Sequence, residues 1–160
     1  MEPHAYFNLA KGGLLLFWGL WLALAAAGHF LDVRTNRHLL GEVMRMTQLK
    51  EDPLLGKGLI GRAWTAPGAP AALLVLIALY QYFVVALLLR AAWLWLGGGD
   101  PVAATVAADQ ALLAFGAIWC FFLIGGLWFG YWIKMQMLQQ VHMNMALLTL
   151  GSLILIHLRF

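Results

Sequence analysis

Residues 63–89, AWTAPGAPAALLVLIALYQYFVVALLL, form a run of 27 residues without one formal charge, bounded by Arg62 and Arg90. A helix rises 1.5 Å per residue, so about 20 residues cross a hydrocarbon core of about 30 Å. No water is available there to satisfy an open backbone, which leaves a helix as the economical reading. Three more charge-free runs follow the same rule: 20 residues between Lys11 and Asp32, 24 between Asp109 and Lys134, and 24 between Lys134 and Arg159. The chain therefore reads as an all-α, four-helix transmembrane bundle forming one membrane domain over residues 1–160, with spans at about 12–32, 70–96, 106–132 and 136–158.

Composition agrees with this reading. Of 160 residues, 63% are hydrophobic and 11% charged, against about 45–50% and about 25% in an average soluble domain. The net charge of +3 suits phospholipid head groups and falls short of the dense basic face that nucleic acid needs. Membrane lipids, some of them tightly bound, are the expected surroundings. A single cysteine, Cys120, excludes an internal disulfide and is expected to be a small buried side chain. The first run ends in Ala25-Ala26-Ala27, a signal-like pattern, but is expected to be kept as a span.

Residues 33–69 hold six of the ten basic residues. Within them Leu39, Leu40, Val43, Met44, Met46 and Leu49 recur at close to helical spacing, with Arg37, Glu42, Arg45 and Lys50 at the edges and Asp52-Pro53 as the stop. This predicts an amphipathic helix between the first two spans, lying on the bilayer surface or folded back onto the bundle. Thr65 to Pro70 reads as a rigid turn, and Gly97-Gly98-Gly99-Asp100-Pro101 as a short flexible loop. Between the last two spans a tight hairpin is required, although Trp132 to Met145 contains neither Gly nor Pro; an unbroken helix there would give three spans and a protruding rod. With four spans, both termini and loop two share one side with Lys11, Arg90 and Arg159. The other seven basic residues lie opposite, which by the positive-inside rule places loop one in the cytoplasm.

Few ionisable groups lie deep, and each such group is a functional candidate. Arg90 near the end of span two and Asp109 at the start of span three are placed to pair, unless Arg90 snorkels to the interface. Gln81, at mid-span, is suited to an interhelical hydrogen bond or a ligand contact. His29 closes span one and His142 opens span four, so four spans bring both to one side at similar depth. That is the arrangement a bis-histidine haem b requires, or a quinone contact in a membrane anchor subunit; buried or interfacial histidines without a ligand are the plainer alternative. Met44/Met46, Met135/Met137 and Met143/Met145 offer soft ligands for copper(I), but residues two apart on a helix diverge. Of eight tryptophans, most lie near span ends, as interfacial anchors do, and Trp119 is mid-membrane. No catalytic set or phosphate-binding loop is present, so the chain is not expected to be an enzyme. Three functions stay open: a non-catalytic accessory or stabilising subunit of a larger membrane complex, respiratory or photosynthetic; a haem b or quinone-binding anchor; and a small transporter.

Two groups of residues resemble a bacterial family of predicted small integral membrane proteins with four spans and no known activity. Asp32, Asn36 and Met46, with Thr47 behind them, keep the family's spacing after the first span, and Arg62-Ala63 resembles its Arg-Ala pair. Gly125-Gly126, Trp128-Phe129 and Trp132 resemble the pattern that ends its third span, with Gln140 in a trailing glutamine pair. These residues are the motif and interface candidates. The chain departs from the family at Leu127 and Gln81, where relatives carry Glu, and at Leu138-Gln139, where they carry an Asn-Gly turn. The resemblance implies a multi-pass protein of the bacterial inner membrane and a fold without an activity; other integral membrane subunits are the partners expected from the small chain, its Trp and Gly and its unsatisfied polar spots. The resemblance also implies both termini in the cytoplasm, opposite to the charge count.

Overall fold

The computed structural model describes residues 3–52 and 54–158, with side chains from Tyr6 onward. Pro53 and Arg159, used above as a helix stop and as part of the charge count, lie outside the described residues. The elements in chain order are α1 (Pro3–Leu31), α2 (Val33–Arg45), α3 (Thr47–Glu51), a 3₁₀ turn (Lys57–Arg62), α4 (Ala69–Leu96), α5 (Pro101–Phe129), a second 3₁₀ turn (Tyr131–Ile133) and α6 (Gln136–His157). No strand occurs among the described residues. Four helices, α1, α4, α5 and α6, are long and apolar enough to cross a membrane. Even the shortest, 22 residues, extends about 33 Å at 1.5 Å per residue.

α4 and α5 are apolar all round, as a lipid-facing helix must be, while α6 carries polar residues on one face near its start. Only 22–33% of the most apolar window of each of the four is buried inside the protein. The buried part forms one core from all four helices: Leu15, Trp18 and Leu22 on α1, Val84 and Leu88 on α4, Phe115 on α5 and Ile156 on α6. On α5, Ala104, Ala107, Ala108 and Ala111 are all buried, and small residues at three- and four-residue spacing let neighbouring backbones approach. Polar bonds lock the helices at specific heights. Trp18 Nε1 donates to Ser152 Oγ at 3.0 Å, and Tyr80 Oη donates to the Ala114 carbonyl at 3.2 Å.

The ends of the helices follow local chemistry. Pro70 opens α4, and Asp100 caps α5 by accepting from the Val102 and Ala103 amides, with Pro101 in the first turn. At the other end of α5 the chain turns at Gly130, φ 62°, and passes through the second 3₁₀ turn into α6. The hairpin therefore lies at 130–135, earlier than the glycine-free stretch from Trp132, and Leu138-Gln139 is already inside α6. A continuous rod is excluded.

The loop-one helix is interrupted. Met46 adopts a left-handed conformation, φ 54°, that ends α2 and starts α3. Such a backbone costs a non-glycine residue roughly 1–2 kcal/mol; the Met46 side chain, 3% exposed, is held by its packing. The apolar side of α2 faces the bundle. Met44 is fully buried, and its carbonyl accepts from the Trp64 amide at 2.8 Å. Asp52 binds the Leu54 and Leu55 amides through Oδ1 and Lys134 through Oδ2, tying loop one to the α5–α6 hairpin. These contacts hold the Asp52 carboxyl well below its ordinary range, at about 2.

Candidate ligand site at the loop-one end

The family-like motif of loop one is a corner. Asp32 caps α2 by accepting from the Thr35 amide, while Asn36 Nδ2 reaches back to the carbonyls of Asp32 (2.8 Å) and Gly28 (3.2 Å). The last turn of α1 is thereby fixed to the first turn of α2, directly beside His29. Over this corner Leu39, Leu40, Val43 and Met44 roof a cavity of about 290 Å³, which His29, Asn36, Phe129, Tyr131 and His142 also line. A second cavity of about 380 Å³ shares Leu73, Ile77, Phe121 and Phe122 with the first and runs on between α4 and α5 to Tyr80 and Gln81. Together they form an elongated apolar groove with a polar head.

His142 is held by aromatic and hydrogen-bonding neighbours. Its ring stacks on Phe122 (4.8 Å between centroids) and packs against Trp119 at 6.1 Å. Tyr131 Oη lies 2.7 Å from His142 Nδ1 and donates to the Phe122 carbonyl at 3.0 Å. A phenol has one proton. With it given to Phe122, the imidazole proton sits on Nδ1 and Nε2 is a bare acceptor; with it given to His142 Nδ1, at the shorter distance, Nε2 carries the proton and donates. Burial pushes the Tyr131 hydroxyl up to about 12, so it stays protonated. Gly126 makes this arrangement feasible: a Cβ there would come within 2.8 Å of Tyr131 Cζ, so only glycine lets the phenol lie against α5.

The buried polar atoms without a hydrogen-bond partner collect here. They are both ring nitrogens of His29, Trp119 Nε1, Gln81 Oε1, Gln139 Oε1 and, at the far end of the bundle, Trp95 Nε1. His29 and Gln81 line the groove, Trp119 packs on His142, and Gln139 shares with Tyr131 the space in front of Gly126. Buried polar groups are nearly always satisfied, and each exception calls for an explanation.

The structure thus brings His29 and His142 to one cavity with Asn36 and Phe129, and leaves the other candidates elsewhere. Arg62 covers the ring of exposed Trp128 at 5.4 Å. Trp132 is exposed in the second 3₁₀ turn, and Gln140 Nε2 donates to Asn144 on the outer face of α6. The Arg90–Asp109 pair does not form. Because α5 starts at Pro101, Asp109 lies two turns inside it and meets the end of α6 instead, 2.9 Å from His157 Nε2, while Arg90 is exposed on α4. Cys120 is exposed on α5 and is not a core residue. Two of the methionine pairs diverge, Met135 lining the cavity with Met137 86% exposed, and Met145 buried with Met143 exposed, whereas Met44 and Met46 are both buried. No group of three His, Cys, Asp or Glu side chains suited to a metal ion occurs among the described residues. The sequence reading missed Tyr131; its only signal was its place beside Gly130, one turn before His142's helix.

A bundle of four apolar helices with this loop-one corner defines a small multi-pass membrane protein. Residues 7–159 match the family model described as "Predicted small integral membrane protein (DUF2165)", and the chain belongs to that family. No curated protein and no solved structure matches it.

Proposed function

We propose that this protein is a non-catalytic accessory subunit that docks through α6 onto a larger membrane complex, in the bacterial inner membrane. The observation that carries this reading is a polar stripe. Gln136, Gln140 and Asn144 stand at intervals of four on α6, hence on one face, and all three are exposed. Asn144 lies about 12 Å along the helix from Gln136, at a depth where lipid offers no hydrogen bonds. The single Gln140–Asn144 bond of 2.8 Å uses one donor and one acceptor of two side chains that together have four donors and two acceptors. A neighbouring transmembrane helix with polar side chains would complete them.

Purification from its native membrane in mild detergent tests the reading. The expected result is a stable companion subunit that is lost, with helix content unchanged, on Gln140→Leu together with Asn144→Leu. A free monomer, or a homodimer with no other subunit, would sink it.

A further inference from the structure

We infer that the His29–His142 cavity and the groove leading from it bind a lipid-soluble quinone, its ring between the two imidazoles and its tail along α4 and α5. The inference is independent of the α6 docking face. Its first support is the head of the cavity. His29, with both nitrogens buried and unpartnered, offers one donor and one acceptor in its neutral form, and His142 offers Nε2, whose role follows the proton shared with Tyr131. One ring oxygen accepts from the His29 N–H; the other meets His142 Nε2, which donates to the oxidised carbonyl when Tyr131 donates to Nδ1 and accepts from the reduced hydroxyl when it does not.

The second support is charge. No Lys, Arg, Asp or Glu is among the residues lining either cavity. A phospholipid phosphate would have no cation there, and neither would the two propionates of a haem, whereas a quinone is neutral. The third is shape. Phe121, Phe122 and Phe129 supply flat faces near the head, and Leu73, Leu76, Ile77 and Ile118 line the extension where an isoprenoid or alkyl tail would lie. Trp119, packed on His142, places a fluorophore beside the ring.

The test uses the full chain in phosphatidylcholine nanodiscs, titrated with a decyl-tailed benzoquinone while tryptophan fluorescence is followed. Saturable quenching is expected in the native chain, weakened at least tenfold by His29→Leu and by His142→Leu. Gly125→Leu provides the check against misfolding. Gly125 lines the cavity, a Cβ there meets nothing within 4 Å, and the change favours the helix, so it should block binding and leave helix content intact. Quenching that rises linearly and equally in all four proteins would overturn the inference. So would a Soret band in the freshly purified protein that disappears with His142→Leu, since haem would then occupy the site.

Discussion

The two ends of the bundle treat their polar groups in opposite ways. At the loop-two end most are paired: Lys11, 8% exposed, donates to the Leu158 carbonyl at 3.0 Å and lies 4.7 Å from the centre of the Trp95 ring. Asp109 meets His157, and Asp100 caps α5. At the loop-one end and along the groove that runs from it to mid-membrane, His29 and Gln139, then Gln81 and Trp119, keep unpartnered atoms around or beside a cavity. One end is closed by its own contacts. The other leaves hydrogen-bonding capacity that the chain itself does not use, at a cost in stability of about 1–3 kcal/mol per unsatisfied group.

Removing a polar side chain should therefore change stability in opposite directions at the two ends, and breaking the hairpin that holds the loop-one end should cost more than either. The largest effect is expected from Gly130→Val, which puts a β-branched residue at φ 62° with its Cβ about 2.8 Å from Leu59 Cδ1. Left-handed strain and overpacking together should cost about 3 kcal/mol, read as a lower unfolding temperature by circular dichroism in detergent. A midpoint unchanged from the native one would show that the hairpin does not hold the loop-one end together. His29→Leu should move the midpoint upward, by about 1 kcal/mol in the absence of ligand, because it removes two unsatisfied buried nitrogens. Destabilisation instead would mean that His29 has a structural partner and that the contrast between the ends is false.

Asp109→Ala, at the loop-two end, should destabilise by only about 0.5 kcal/mol, since its partner side chain is more than half exposed. The smallest effect concerns pH. The Asp52 carboxyl is lowered from 3.8 to about 2 by Lys134 and two backbone amides. Its folded value being depressed, the contact is fully present above about pH 4 and is lost as pH falls through about 2. The protection of the Leu54 and Leu55 amides, their exchange measured against the intrinsic rate at each pH, should fall over that window and not at pH 5–7, while helix content holds; Asp52→Asn should abolish the change in protection.

How much of this was legible in the sequence follows from where charge is tolerated. The four spans could be read because charges are excluded from their middles: Lys134 marks a border within two residues, while Arg62 and Arg90 miss the ends of α4 by six or seven residues and Asp109 lies two turns inside α5. Pairing of His29 with His142 at one end followed from parity, since an odd-numbered span ends on the side where an even-numbered one begins. Rotation about each helix axis could not be read. α4 and α5 are apolar all round, so nothing in their sequence says that Asp109 faces α6 and not Arg90, or that Cys120 faces outward. Tyr131 escaped for a related reason: the run from Leu127 to Trp132 is too rich in aromatics for one of them to stand out, and its role depends on the bare face of Gly126.

The Asn36 corner has a mechanical consequence. Two hydrogen bonds from one amide join α2 to the turn of α1 that carries His29, and Leu39, Leu40 and Val43 on the same helix form the roof of the cavity. α2 is thus pinned at both ends, by Asn36 to α1 and by the Met44 carbonyl to Trp64, so the roof of the cavity and the turn that carries His29 belong to one brace, and the width of the opening between them is set by a single amide.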